Sequence, residues 1–280
     1  NPEFLREGKA VDDFFNPDRI VIGTDNDEAL QIMRELYADF NCPIVMTDIR
    51  SAEMIKYAAN AFLATKISFI NEIANLCEQV GADVEKVAYG MGLDKRIGSA
   101  FLGAGIGYGG SCFPKDVRAL RQIAGNNGYD FKLLKAVIEV NKDQKELFWQ
   151  KIQNHFSDFT GKRIAVLGLG FKAGTDDVRE SIGLEYAQRL YAAGAVVIGY
   201  DRYAREKAQE VLPQIDYADN LEQIIDFLPD ALVITTKDNE FRKIVPLLFQ
   251  LNEVAIFDGR NLLVGENLQK VNIIYFSVGR

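Results

Sequence analysis

A glycine-rich segment around Cys112 combines the residue types best suited to covalent chemistry. Glycines leave the backbone flexible and its N–H groups open to a sugar or phosphate. Pro114 fits the first turn of a following helix, and a thiol at a helix N-terminus beside Lys115 is favoured as the nucleophilic thiolate. The competing interpretation is a small buried residue in a loop. Five glycines fall within eight residues: Gly103, Gly105, Gly107, Gly109 and Gly110.

A second glycine turn follows an apolar strand in Ile164-Ala-Val-Leu-Gly168-Leu-Gly170-Phe171-Lys172. Its backbone N–H groups and Lys172 suit a phosphate. The next glycine, Gly174, comes one position later than in a dinucleotide fingerprint, whereas Asp201 ends the next strand as the fingerprint requires. Three interpretations stay open: an NAD site, a site for another nucleotide, and a structural turn in a Rossmann-like sheet.

Lys56 and Asn60 are four residues apart on a predicted helix, so they share one face. They are suited to present a cation and an amide to one ligand, and the alternative is a solvent-facing pair. Cys42 and Cys77 lie far from Cys112, which predicts three reduced thiols and neither a disulfide nor a metal site. The single histidine, His155, offers no triad, and we interpret it as structural or exposed.

The composition excludes several classes of protein. The 280 residues carry a net charge of −8 and scattered Lys and Arg, which argues against a nucleic-acid partner. No apolar run approaches the roughly 20 residues of a membrane span. The first residues lack the features of a signal peptide, so we expect a cytoplasmic protein. Because the chain does not start with Met, we expect a piece of a longer protein.

Hydrophobic periodicity predicts three regions that position these residues. Residues 1–49 contain one strand-helix-strand unit, the remnant of an α/β domain. Residues 50–158 form a helical central domain in which Ser51 caps a helix that ends at Gly81. Residues 159–280 alternate strand and helix, which predicts a Rossmann-like doubly wound parallel sheet. A second long helix over 131–156 links domains or forms a dimer seam, with six residues on one side: Leu134, Val137, Ile138, Leu147, Phe148 and Ile152.

Several segments, taken together, resemble the UDP-glucose/GDP-mannose dehydrogenase family and occur in that family's order over nearly the whole chain. Such enzymes have two Rossmann-like domains joined by a helical middle. The resemblance implies that most of the first, NAD-binding domain is missing from this sequence. The matching segments are Asn1–Gly8, Asn16–Gly23, Lys56–Asn60 with Ile67–Glu72, Gly107–Asp116, Gly170–Lys172 with Thr175–Ser181, and Asp258–Asn261.

The resemblance implies an NAD-dependent four-electron oxidation of UDP-glucose to UDP-glucuronate through a cysteine thiohemiacetal and thioester. Alternatives are a dehydrogenase for another UDP-hexose or GDP-mannose, and a nucleotide-sugar binding and dimerisation module. We expect these residues alone to bind UDP-sugar without turnover and to form a homodimer through the central helices. The implied catalytic residues are Cys112 as nucleophile, Glu3 to activate water, Lys56 to stabilise an oxyanion, Asn60 to orient and Asp116 to handle protons.

The resemblance also implies which residues bind the ligands. It reassigns the second glycine turn from NAD to UDP, and in relatives the arginine at position 96 reaches in from a second subunit. No metal is implied. The nicotinamide end of NAD would meet Glu7, Lys115 and Arg179. The substrate contacts would be Phe4, Leu5, Arg96, Gly103, Gly105, Gly107, Tyr108, Gly109, Phe171, Lys172 and Arg260.

Overall fold

The computed structural model describes residues 1–268 and 272–280 and begins with a small strand-helix-strand unit. Strand β1 (Ile20–Gly23) pairs in parallel with β2 (Ile44–Thr47). Helix α2 (Asp27–Leu36) makes the crossover, and its first turn is capped by Asn26, which accepts from Ala29 N–H at 2.9 Å. A short helix α1 (Ala10–Phe15) precedes the unit. The predicted unit is therefore confirmed.

The middle of the chain is helical, and its first helix begins three residues earlier than a Ser51 cap implies. Asp48 is the N-cap, and its carboxylate accepts from Ser51 N–H at 2.9 Å, so the predicted cap is wrong. Gly81, in the left-handed conformation at φ 71°, ends that helix as predicted. The four helices are α3 (Ile49–Val80), α4 (Val84–Gly92), α5 (Phe113–Asn126) and α6 (Lys132–His155).

Helix α6 connects two cores. Its first half packs Leu134 and Val137 against α3 and α5, and its second half packs Phe148 and Ile152 against the C-terminal sheet. It therefore links the helical middle to the sheet. Leu147 is 43% exposed, so it lies outside these two cores.

The C-terminal region is a six-stranded parallel sheet in the order β5-β4-β3-β6-β7-β8. Apolar clusters bury both faces, as a doubly wound sheet requires. This is the Rossmann strand order, and the predicted fold class is confirmed. The strands are β3 (Arg163–Leu167), β4 (Val196–Tyr200), β5 (Asp216–Tyr217), β6 (Ala231–Ile234), β7 (Glu253–Asp258) and β8 (Asn272–Phe276). The helices are α7 (Ile182–Ala192), α8 (Arg205–Val211), α9 (Leu221–Asp226), a 3-10 helix (Asn239–Ile244) and α10 (Val245–Leu248).

The order of the strands places the candidate site at one edge of this sheet. The chain reverses direction across the sheet between β3 and β6, and ligands of open α/β sheets bind beyond the carboxyl ends of such strands. Phe171 and Lys172 follow β3, and Arg260 follows β7 at the same edge. The loop that ends at Cys112 packs onto this edge from the helical region.

Candidate active site

Cys112 is exposed at the N-cap of α5. Pro114 lies in the first turn of that helix, as predicted, and Cys112 Sγ is 3.7 Å from Ser111 Oγ. Cys77 is buried and Cys42 is half-buried. The interpretation of Cys112 as a buried loop residue is therefore wrong. A thiol in this position lies where the helix dipole favours an anion.

Three cations lie within electrostatic range of Cys112: Lys115, Lys172 and Arg179. Lys115 Nζ is 3.3 Å from Asp116 Oδ1, and this hydrogen bond is the main reason that the pKa of Lys115 is raised. Burial, by contrast, lowers the pKa of Lys172 overall. Lys115 and Arg179 are each paired with an aspartate, Asp116 and Asp177, which offsets part of their positive charge.

Helix α3 holds two predicted catalytic residues one turn apart and places each beside a carboxylate. Asn60 Nδ2 donates to Asp116 Oδ2 at 2.6 Å, and both side chains are buried. Lys56 Nζ donates to the Glu3 carbonyl at 2.6 Å and lies 3.2 Å from Glu3 Oε1. The side chain of Lys56 is 18% exposed. The solvent-facing alternative for Lys56 and Asn60 is therefore wrong.

The first residues of the chain fold over Lys56. Glu3 Oε2 accepts from the Leu5 N–H at 2.6 Å, which closes a tight bend. Two cations lie near the Phe4 ring, with Arg19 Cζ at 3.8 Å and Lys56 Nζ at 5.4 Å from its centroid. Leu5 is exposed, and Phe4 is half-buried. The predicted substrate contacts of this segment thus adjoin the Glu3 and Lys56 pair.

Glu7 connects the opening segment to the loop after β3. Thr175 Oγ1 donates to Glu7 Oε1 at 3.4 Å. Arg179 donates two hydrogen bonds to Asp177, from Nε to Oδ1 at 2.9 Å and from Nη2 to Oδ2 at 2.7 Å. Burial and the negative charge of Asp177 raise the pKa of Glu7, and the hydrogen bond from Arg179 lowers the pKa of Asp177. Two of the predicted nicotinamide contacts, Glu7 and Arg179, therefore belong to one polar cluster.

The glycine loop, residues 103–111, packs so closely on the C-terminal region that side chains are excluded from part of it. A Cβ on Gly109 would lie 2.1 Å from the carbonyl oxygen of Glu180, and one on Gly110 would lie 2.4 Å from the Phe171 ring. Both positions therefore require glycine. Gly103, at the start of the loop, is exposed.

Arg260 reaches the same loop from the carboxyl end of β7. Its Nε donates to the carbonyl oxygen of Thr235 at 2.7 Å, and its Nη1 donates to that of Gly107 at 2.8 Å. Both acceptors are neutral carbonyls. Burial accordingly lowers the pKa of Arg260 to about 10. A buried guanidinium held by carbonyls is suited to an anionic ligand.

Tyr108 does not present its ring to the site. The ring is 8% exposed and lies 5.8 Å from that of Phe113, and burial raises the pKa of Tyr108 to about 12. The backbone N–H and carbonyl of Tyr108 are both bonded to the Asn141 side chain. Sequence reasoning missed Asn141 and two further amides that hold the loop, Asn71 and Gln144. Their signal was a polar residue at an inward position of an amphipathic helix.

The second glycine turn is closed by the chain's own carboxylate. Asp201 Oδ2 accepts the N–H groups of Leu169 and Gly170 at 2.8 Å and 3.0 Å. Its Oδ1 accepts those of Tyr203 and Ala204 at 2.9 Å and 3.0 Å. The two turn amides that would bind a phosphate are therefore occupied. This geometry favours the structural interpretation of the turn and excludes a pyrophosphate at these two amides.

Arg96 lies apart from the other predicted site residues. Its side chain is 88% exposed and pairs with Asp94 at 2.6 Å, on the turn that follows α4. Lys66 Nζ holds that turn through the carbonyl of Ile97 at 3.0 Å. Within the described part of the chain, Arg96 makes no hydrogen bond or ion pair with another predicted site residue.

Two features are absent from residues 1–268 and 272–280: a metal-binding cluster and a membrane-spanning helix. In that part of the chain, no group of three or more His, Cys, Asp or Glu side chains is arranged to hold a metal ion. The described helices also include none that has both the length and the apolar character to cross a membrane.

Three sequence profiles of one family match the chain in succession. They are described as the NAD binding domain, the central domain and the UDP binding domain of the UDP-glucose/GDP-mannose dehydrogenase family. They match residues 1–41, 50–143 and 165–265.

Individual relatives agree with the profiles. UDP-glucose 6-dehydrogenase YwqF of Bacillus subtilis is 53% identical over 283 residues, which are 100% of this chain and 64% of that relative. A UDP-glucose dehydrogenase structure from Pyrobaculum islandicum superposes with a TM-score of 0.86 at 39% identity, over 98% of this chain and 62% of that one. A UDP-D-ManNAc dehydrogenase structure from Pyrococcus horikoshii superposes with a TM-score of 0.82 at 26% identity. The match covers 100% of this chain and 64% of that one. The chain thus spans less than two thirds of each relative.

Proposed function

Because the chain belongs to the UDP-glucose/GDP-mannose dehydrogenase family, we propose that it supplies the substrate site and the nucleophile of a UDP-glucose 6-dehydrogenase. Such an enzyme oxidises the C6 hydroxymethyl group of UDP-glucose to a carboxylate. The choice of UDP-glucose among nucleotide sugars is supported by identity, which is 53% to a UDP-glucose 6-dehydrogenase and 26% to a UDP-D-ManNAc dehydrogenase.

The observation that carries the proposal is the exposed thiol of Cys112 one helical turn before a buried carboxylate, Asp116, that is hydrogen-bonded to an amide. Asp116 N–H donates to the Cys112 carbonyl at 2.9 Å, so both residues lie on one side of α5. The Asp116 carboxylate is held by Asn60 from α3. A nucleophile beside fixed proton-handling groups fits covalent catalysis of an aldehyde oxidation.

The chemistry requires a nucleophile because an aldehyde has no alkoxide from which hydride can leave. The Cys112 sulfur forms a bond to the aldehyde carbon, and the carbonyl π pair moves to the oxygen. Loss of hydride then gives a thioester, and water cleaves its C–S bond to release the carboxylate and the thiolate. Lys56 stabilises the tetrahedral oxyanion, and Glu3 takes the proton from the attacking water. The aldehyde itself comes from a first oxidation, in which a base takes the C6 hydroxyl proton as a hydride leaves C6. Over both oxidations one water is consumed and four electrons leave the substrate.

NAD supplies the acceptor for both hydrides when it is bound. Glu7, Arg179 and Lys115 are the residues of this chain that would meet its nicotinamide end. They fit that task because Glu7 and Arg179 share one polar cluster, and because Lys115 and Arg179 both lie within electrostatic reach of Cys112. The turn closed by Asp201 is not a second dinucleotide site.

We place the diphosphate between Lys172 and Arg260. Burial lowers the pKa of both side chains, so each is a partly desolvated cation that gains from an anionic ligand. Lys172 follows β3 and Arg260 follows β7, so both lie at the carboxyl ends of the sheet, with β6 between their strands. Phe171 precedes Lys172 in the chain and packs on Gly110. It is also a predicted substrate contact.

We also propose a homodimer through α3. Five apolar residues with spacings of seven, eight or four residues form one stripe along this helix, and each is 47–67% exposed. The buried apolar residues of α6 instead serve the chain's own cores. We propose that a partner on this stripe supplies the exposed Arg96 that the resemblance assigns to a second subunit. The stripe consists of Met54, Phe62, Phe69, Leu76 and Val80.

For these 280 residues by themselves, we propose UDP-sugar binding without turnover. Only residues 1–41 match the NAD-binding profile, and the second glycine turn is occupied internally. A nucleotide-sugar binding and dimerisation module is the second candidate function, and the same two observations favour it for the isolated chain.

Iodoacetamide labelling of the three thiols tests the proposal on this chain. Peptide mass spectrometry should show Cys112 alkylated fastest, with half-buried Cys42 and buried Cys77 as internal controls. UDP-glucose should protect Cys112 alone, and calorimetry should show that UDP binds and competes with it. Fast labelling of Cys112 without protection by UDP-glucose would contradict the substrate site. Production of NADH by the chain would contradict the proposed lack of turnover.

A further inference from the structure

The glycine loop is held by amide side chains of the central helices, although it has no regular structure. Gly105 is bound on both sides of its backbone. Its N–H donates to Asn71 Oδ1 at 2.9 Å, and its carbonyl accepts from Gln144 Nε2 at 2.9 Å. Gln144 Oε1 in turn accepts from Asn75 Nδ2 at 2.8 Å. Helices α3 and α6 thus clamp this peptide from two directions.

Asn141 makes the second clamp, two to three residues further along the loop. Its Oδ1 accepts from Tyr108 N–H at 2.8 Å, and its Nδ2 donates to the Tyr108 carbonyl at 3.1 Å. The amide therefore binds the peptide as a neighbouring β-strand would. Gly107 has φ +93°, and a Cβ on it would lie 2.7 Å from Asn141 Oδ1. Only glycine allows this approach.

The clamped part of the loop is also where the C-terminal region attaches. Arg260 Nη1 donates to the Gly107 carbonyl at 2.8 Å, and Ile106 N–H donates to the Gly259 carbonyl at 3.0 Å. The position of the Arg260 guanidinium therefore depends on the conformation that the amides impose on the loop. The loop leads from this point directly to Cys112.

We infer that Asn141 is a positioning residue that fixes the glycine loop in its ligand-binding conformation before the nucleotide sugar arrives. The inference rests on the proposed function, because the ligand is the UDP-sugar of that site. A glycine-rich loop loses more conformational entropy on ordering than other sequences do. If the protein orders the loop beforehand, the ligand does not bear that cost on binding. Both hydrogen bonds of the Asn141 side chain go to the Tyr108 backbone, so it acts on the site through the loop.

Asn141→Asp tests this role with a side chain of nearly equal size. It keeps an acceptor for Tyr108 N–H but places a second oxygen against the Tyr108 carbonyl, so one bond becomes a repulsion. We expect UDP-glucose to bind about ten- to a hundredfold more weakly. Hydrogen exchange of residues 103–111 should be faster in the free chain and return to the wild-type rate with saturating UDP-glucose. Asn154→Asp, an exposed amide on the same helix, is the matched control.

Asn141→Ser provides a neutral second variant, which removes both bonds without introducing charge. Wild-type exchange of the loop in either folded variant would overturn the inference, as would UDP-glucose affinity within twofold of wild type. A uniform rise in exchange over the whole chain would also overturn it, because that result indicates general destabilisation. If the wild-type chain did not bind UDP-glucose, the proposed function would fail, and loop exchange in the free variants would still decide the role of Asn141.

Discussion

Replacing Asp201 by Asn tests the structural role of the second glycine turn. Asp201 is 6% exposed, and each of its carboxylate oxygens accepts two backbone N–H groups at 2.8–3.0 Å. Asn has one oxygen and one NH₂ group. In either orientation of the amide, two N–H donors lose their acceptor and face another donor. Three of the four donors, those of Leu169, Gly170 and Ala204, belong to buried residues, and Tyr203 is exposed.

The expected loss of stability follows from these two bonds. A hydrogen bond to a charged group contributes about 1.5–3 kcal/mol, so losing two costs about 3–6 kcal/mol. In a protein of about 150–250 residues, each kcal/mol of lost stability lowers the midpoint temperature of thermal unfolding by about 2–4 °C. A loss of about 3 kcal/mol therefore predicts a fall of about 6–12 °C.

Thermal unfolding followed by circular dichroism measures this fall, and calorimetric titration with NAD accompanies it. Asp226→Asn is the control, since Asp226 is exposed at the end of α9, and its midpoint should change by no more than about 2 °C. If Asp201→Asn unfolded at the control's temperature but bound NAD more weakly than wild type, the carboxylate would be a ribose ligand. The structural interpretation of the turn would then be refuted.

Two further predictions concern the dimer and pH. Phe69→Glu would bury a charge in the proposed α3 interface, so analytical sedimentation should show monomers. The control Val211→Glu, on the exposed surface of α8, should remain dimeric. A dimer of Phe69→Glu would contradict the proposed interface. The pKa of Glu7 in the folded chain is raised above 4.5, so folding favours its protonated form. The stability that this provides is fully present below pH 4.5 and is lost as the pH rises through the raised pKa. The free energy of unfolding of Glu7→Gln, measured by urea denaturation, should therefore rise relative to wild type as the pH rises above 4.5. A pH-independent difference would contradict this.

The helices and strands were largely predictable from the sequence, because hydrophobic periodicity and the residues that begin or end a helix are local features of the chain. Strand β4 runs over Val196–Tyr200 as its apolar run indicates, and Gly81 ends α3 in the left-handed conformation. The sequence did not decide which residue caps the start of α3. Asp48 and Ser51 are both good capping types, and only the backbone shows that the carboxylate of Asp48 accepts the N–H of Ser51.

The sequence by itself determined the residue types of the site. The glycines before Cys112, the proline after it, and the four-residue spacing of Lys56 and Asn60 limit what those segments can do, and each is a short-range property. The tertiary structure decided which partners complete them. Asn141 and Tyr108 are 33 residues apart in the chain, and Asp201 and Leu169 are 32 apart. Hydrogen bonds over such separations form only after helices and sheet have packed, because no local preference brings those groups together.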